Sequence, residues 1–251
     1  MQIDGKRIVI TGASSGIGKE TLLQIVRFSN VKVIAADLNP EQIPKYDTVT
    51  SLKVDVSNTD ELDALIQSAN EKMGGIDIFF ANAGFAYYER IPSADWKRMD
   101  RIYKTNVFSP IYTVTKLNTS QTMPFLFIVT ASAMSHLPLP GYALYSSTKA
   151  GVNSFMQSYR YELKKGNRIM VVYPIATRTK FFDTAGKQVP VPFPSQEPKT
   201  VAKKIIQGIK RNANSVYPSK IFRLTQFFDR FLLFPLKVYQ WIEGKKLTRL
   251  P

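Results

Sequence analysis

Arg7-Ile-Val-Ile-Thr11 runs straight into Gly12-Ala-Ser-Ser-Gly16-Ile17-Gly18, and this junction decides the fold. Residues 7–11 carry β-branched apolar side chains over the length of a strand, and from Gly16 to Phe28 the apolar residues recur at helical spacing. Between the two lies the spacing Gly-x-x-x-Gly-x-Gly. Glycine lets the backbone turn sharply and approach a pyrophosphate, while a helix start offers unpaired N–H groups and the positive end of its dipole. A tight strand-to-helix connection alone would use the same residues. As the first such turn of the chain, it makes Gly12, Ser14, Ser15, Gly16, Ile17 and Gly18 candidate phosphate-side contacts.

The same alternation continues outward. Val31–Ala36, Val49–Val54, Ile76–Ala81, Phe125–Thr130 and Ile169–Tyr173 read as strands; Thr59–Met73, Ala94–Lys116 and Tyr142–Lys165 read as helices. Strands that are nearly all apolar, separated by helices, predict an α/β fold with a doubly wound parallel sheet covered on both faces. A Pro-rich passage, Gln188 to Pro198, leads to a basic helix from Thr200 to Arg211. Nothing reads as a linker, so residues 1–251 form one domain, with a core over about 5–218 and an aromatic, basic helical extension over about 219–251.

Composition excludes several chemistries. There is no cysteine and His136 is the single histidine, which removes disulfides, thiolate metal sites and multi-histidine centres; no metal is expected. No secretory signal pattern opens the chain, and the longest apolar stretch, Phe231 to Trp241, is broken by Pro235, Lys237 and Gln240. A cytoplasmic protein, soluble or peripheral to a membrane, is expected. Net charge is +15, and from Lys199 onward twelve basic residues face two acidic ones, a net +10. The basic residues are scattered among apolar ones and no recognition motif is present, which argues against nucleic acid. They read as a solvated surface with affinity for any polyanion or, more sharply, as suited to an anionic membrane surface or an acidic substrate.

Asp37 ends the second predicted strand, where a carboxylate can accept hydrogen bonds from an adenosine ribose and repels a 2′-phosphate, favouring NAD over NADP; it would equally start a turn before Pro40. Asp55, followed by Val56, ends the third strand and could meet an adenine amino group or cap the next helix. Asn82-Ala83-Gly84 follows the fourth strand with residues small enough for a ligand to come close. Tyr145 and Lys149 stand one helical turn apart, so a phenol and an ammonium share a face. The ammonium is expected to lower the phenol's pKa from about 10 and make it a usable acid/base at neutral pH.

Taken in order, residues 11–18, Asn82-Ala83-Gly84, Asn106, Ser132, Tyr145 and Lys149 resemble the short-chain dehydrogenase/reductase family over roughly Lys6 to Thr179. The resemblance implies a Rossmann-type domain that binds NAD, with NADP also compatible, and moves a hydride to or from a carbonyl or alcohol carbon. It implies that Tyr145 is the acid/base, that Lys149 lowers its pKa and holds the nicotinamide ribose, and that Ser132 orients the substrate oxygen. Asn106 would kink the long fourth helix and hold a water linking Lys149 to solvent. Pro174, Ile175, Thr177 and Thr179 would face the nicotinamide carboxamide. Ile175 departs from the family's glycine there and is expected to constrict the pocket or alter the seat of the nicotinamide ring. The alternative to an enzyme is a non-catalytic, redox-sensing dinucleotide binder on the same fold.

Ser132, Tyr145 and His136 are the candidate substrate contacts, with a surface-loop role the other reading of His136. At the C-terminus, Phe227, Phe228, Phe231, Leu232, Phe234 and Leu236 make a wide apolar surface interleaved with Arg223, Arg230 and Lys237. It would pack on the substrate pocket or a second subunit, or lie in a membrane interface. A hydrophobic ketone or alcohol suits such a tail. The family's subunit pairing implies a homodimer, whereas the usual C-terminal turn of its tetramers is missing.

Overall fold

The computed structural model describes residues 1–91, 93–179, 181, 193–229, 238 and 242. Seven strands form one sheet: β1 (Arg7–Thr11), β2 (Lys32–Asp37), β3 (Val49–Lys53), β4 (Ile78–Ala81), β5 (Leu126–Thr130), β6 (Arg168–Val172) and β7 (Ser215–Val216). All pair in parallel, in the order β3-β2-β1-β4-β5-β6-β7. The winding therefore reverses between β1 and β4, and a crevice opens at their carboxyl ends.

Period-2 alternation assigns side chains to the two faces. Val9, Ile34, Phe79, Phe127 and Val171 face one layer of buried apolar side chains, while Ile8, Ile10, Val33, Phe80, Ile128 and Val172 face the other. The first layer is closed by α2 (Thr59–Met73), α4 (Ser109–Ser120) and α5 (Ala143–Tyr159); the second by α1 (Gly16–Ile25) and α6 (Pro198–Lys210). Each large side chain taken fully out of water contributes roughly 1.5–3 kcal/mol, so this two-sided burial dominates the stability. Local signals agree with it: Asn58 caps α2 by accepting from Asp60 N, and Gly74 ends that helix at φ 76°.

Departures from the expected elements have local causes. The helix expected over Ala94–Lys116 is α3 (Trp96–Tyr103), a π-helical turn (Lys104–Phe108) and α4. Asp95 starts α3 by capping Arg98 N, and Asn106 lies inside the wide turn with its side chain tied outside the helix. The expected helix to Lys165 stops at Tyr159, because Asn118 accepts from Lys164 N and donates to Tyr159 Oη, holding the following residues in a turn. Strand β3 sits at the sheet edge with Thr50, Ser51 and Lys53 exposed, so it is less apolar than a buried strand. The two-residue β7 is too short to give a pattern. A last helix, α7 (Lys220–Asp229), follows it. Phe231, Leu232, Phe234, Leu236, Arg230 and Lys237 lie outside the described residues, as do the side chains of Phe227 and Phe228.

Candidate active site

A cleft of about 520 Å³ opens at the carboxyl ends of the central strands. Its phosphate side is built by close packing. Gly12 has φ 66°, and a Cβ added there would come within 2.8 Å of Ala83 Cα; one at Gly18 would fall 2.0 Å from the Gly12 carbonyl oxygen. Only glycine lets the loop close so tightly on residues 82–84. Asn82 then pins the strand ends together: its Nδ2 donates to Gly12 O (3.1 Å) and its Oδ1 accepts from Thr130 Oγ1 (3.0 Å). The start of α1, Ser14 to Ile17, faces the cleft.

Asp37 stands at the loop's flank, its two carboxylate oxygens accepting from Ser14 N (3.0 Å) and Asn39 N (3.1 Å). It lines the cleft together with Asp55 and Val56. Asp55 also accepts from Ser57 N at 2.9 Å, so it shapes the turn ahead of α2 as well.

At the other end of the cleft three segments meet. Ser132 follows β5 and opens the 3-10 turn Ala133–Ser135, its Oγ accepting from Met134 N at 3.1 Å. Ser135 Oγ accepts from Ser132 N and donates to Lys149 O at 2.8 Å, which ties this turn to α5. Ala133 N donates to Pro174 O at 2.9 Å and ties it to the loop after β6. Tyr145, on α5, receives a hydrogen bond from the Ser132 hydroxyl, and Phe181 packs edge-on against its ring at 5.4 Å. Lys149 Nζ donates to Thr130 O at 2.7 Å and lies 5.6 Å from the centre of the Tyr145 ring.

Burial sets the protonation of this pair. It pushes Tyr145 up to about 12, the Ser132 hydrogen bond pulling the other way, and brings Lys149 down to about 8. The expected lowering of the phenol by the ammonium is thus overturned in the protein's own field. Both groups are more than 90 % buried, and Lys149 directs its hydrogen bond at a carbonyl, so loss of water outweighs their mutual attraction.

Ala83, Gly84, Pro174, Ile175, Thr177 and Thr179 also line the cleft. Three residues named from the sequence do not. Gly18 packs behind Gly12. Asn106 clamps the Phe85 backbone, donating to Phe85 O (2.9 Å) and accepting from Phe85 N (3.1 Å), and donates to Thr148 Oγ1 (3.1 Å). These bonds hold its side chain against Phe85 and α5, and the helix distortion that the resemblance implied is present. His136 packs on the rings of Tyr173 (5.1 Å) and Phe222 (6.5 Å), away from the cleft, and burial holds it below the ordinary histidine range.

Sequence reasoning missed Leu38, Phe85, Tyr87, Arg101, Met134 and Phe181, all of which line the cleft. Leu38, Phe85 and Phe181 lie within two residues of Asp37, Gly84 and Thr179, and that adjacency was the available signal.

Comparison with known proteins bears on the fold and the family. An uncharacterized oxidoreductase of Staphylococcus saprophyticus is 30% identical over 193 residues, covering 72% of this chain and 78% of that protein. An NADP-dependent 3-hydroxy acid dehydrogenase of Schizosaccharomyces pombe is 27% identical over 245 residues, covering 86% and 91%. Among solved structures, a short chain dehydrogenase/reductase of Burkholderia phymatum in complex with NAD superposes with a TM-score of 0.80 at 20% identity, covering 90% and 92%. Residues 6–190, which hold the glycine turn, Ser132, Tyr145 and Lys149, match the short chain dehydrogenase family, and the chain belongs to that family of oxidoreductases.

Proposed function

We propose that the protein transfers a hydride between a nicotinamide cofactor and the carbonyl or secondary-alcohol carbon of a hydrophobic substrate, with NAD preferred and NADP accessible. The observation that carries this reading is the convergence of Ser132, Tyr145 and Lys149 in the cleft that also holds the glycine turn. The residues present fit a dinucleotide: a helix start faces the cleft, Asp37 stands beside it as a fixed acceptor, and small residues at 82–84 leave the backbone approachable. Phe85, Tyr87, Met134, Ile175 and Phe181 supply apolar walls for a hydrophobic substrate.

Bound in this cleft, the nicotinamide supplies the hydride. The protein's own residues handle the proton. In the reductive direction Ser132 donates a hydrogen bond to the carbonyl oxygen, and Tyr145, protonated at neutral pH, gives its proton to that oxygen as negative charge develops there. The Lys149 ammonium then lies beside the phenolate left behind.

Tyr145→Phe tests the assignment. General acid/base groups contribute about 10²–10⁴-fold, so turnover should fall by that much while the NADH dissociation constant stays within about threefold. Retained turnover removes Tyr145 from the role. Cofactor binding by the unaltered protein without turnover of any ketone or alcohol in a broad panel would support the redox-sensing alternative.

A further inference from the structure

Helix α7 has two unlike faces. Phe222 is 6% exposed, its ring 6.1 Å from that of Tyr217 and 6.5 Å from that of His136, so the helix is fixed to the body of the protein along that side. Ile221 and Leu224, three residues apart and so neighbours on the helix surface, are 64% and 58% exposed. Lys220 and Arg223, also exposed, flank them. Further along, Val238 and Ile242 are four residues apart and again exposed. Large apolar side chains presented to water beside cations form the pattern of a helix that lies in a membrane interface.

Charge decides between occupants. Helix α7 carries Lys220 and Arg223 against Asp229, and the whole chain carries +15. A second copy brought face to face with this surface would set one cationic surface against another. An anionic surface is drawn to it instead. We propose that α7 docks the protein on an anionic lipid bilayer, with Ile221 and Leu224 among the acyl-chain boundary and Lys220 and Arg223 at the headgroups. Docking is independent of the catalytic reading, since none of these four residues lines the active-site cleft.

The test is flotation of the full chain with vesicles of phosphatidylglycerol mixed into phosphatidylcholine, against phosphatidylcholine alone, at low salt and at about 0.5 M salt. Binding is expected on the anionic vesicles at low salt, weakened by high salt and by removal of the anionic lipid. Ile221→Asp combined with Leu224→Asp, and separately Lys220→Glu combined with Arg223→Glu, should each lower partitioning about tenfold or more. NADH affinity and thermal midpoint, followed in parallel, should be unchanged and so show that the variants are folded. Absence of flotation at low salt overturns the proposal, as does equal binding to neutral vesicles or full binding by the charge-reversed variant. If the Asp variants abolish a concentration-dependent dimer in sedimentation while vesicles fail to bind, the occupant is a second copy and the proposal falls.

Discussion

Asp37→Asn is the perturbation that isolates cofactor choice. The carboxylate ends β2 and is held in place by Ser14 N and Asn39 N, so it cannot readily swing away from a ligand lying across the loop. A 2′-phosphate brings a charge of about −1.5 to −2. Two unit charges about 5 Å apart repel by roughly 3 kcal/mol at an effective dielectric near 20. Asp37 is half-buried, and water screening reduces that to about 1–2 kcal/mol. The ribose hydroxyls of the unphosphorylated cofactor gain a charge-assisted hydrogen bond that the phosphorylated one forgoes, so NADH should bind about 10–100-fold more tightly than NADPH.

Asparagine keeps the shape and one acceptor oxygen but presents an amide nitrogen to one of the two backbone N–H groups. That mismatch costs about 1 kcal/mol and should weaken both cofactors alike. The repulsion vanishes for NADPH alone. The ratio of the two dissociation constants, read by titrating cofactor fluorescence, should therefore shrink by about tenfold in the variant. An unaltered protein that prefers NADPH, or an Asp37→Asn ratio equal to that of the unaltered protein, would refute the reasoning.

Two further predictions follow from charges within the protein. The Lys149 ammonium is present below its pKa of about 8 and lost above it, so kcat/KM for ketone reduction should be level near neutrality and fall as pH rises through about 8; a level profile up to pH 10 would refute the lowering of Lys149 by burial. Asp77 is pushed up by burial, but its bonds to Arg7 N (2.9 Å), Nε (2.8 Å) and Nη2 (3.0 Å) hold it below the usual carboxylate range, so its stabilisation is complete above about pH 4 and is lost as pH falls through the folded value. Asp77→Asn should cost about 1–3 kcal/mol at pH 7, read as a lower denaturant midpoint, and the difference from the unaltered protein should narrow in acid.

The sheet was legible because each strand carries its own pattern. Val9 and Phe79 fall on one face while Ile8, Ile10 and Phe80 fall on the other, and apolar side chains on both faces imply cover on both. The glycine turn was legible for a related reason: at Gly12 and Gly18 the packing admits no side chain, so the constraint is written in residue type. The break in the fourth helix was implied by the resemblance at Asn106 and is marked by Pro110, which has no N–H to offer the carbonyl four residues back, while the pair of hydrogen bonds to Phe85, about twenty residues upstream, could not be read from the chain. His136 was misplaced toward the substrate because sequence distance from Ser132 says nothing of which way the loop turns; the rings of Tyr173 and Phe222 take it elsewhere. Direction and tertiary partner, more than residue type, were what the chain did not spell out.

The same limit governs the Tyr145–Lys149 pair. Spacing alone suggests an ammonium lowering a phenol's pKa, but spacing carries no measure of burial. Moving the phenol from 10.0 to about 12 penalises the phenolate by roughly 3 kcal/mol, and moving the ammonium from 10.5 to about 8 penalises it by a similar amount. Each penalty applies to one charge alone in a dry site. When Tyr145 gives up its proton the two charges exist together, and their attraction at low dielectric returns part of both costs. A site that holds a lone buried ammonium before the step and a buried ion pair after it favours proton donation, which gives the burial a catalytic use. In the free site the Ser132 hydrogen bond lowers the phenol in the same sense; once Ser132 turns its one proton to the substrate oxygen, that help is withdrawn and the ammonium alone remains. At neutral pH the phenol therefore starts protonated, the form in which the proposed step uses it.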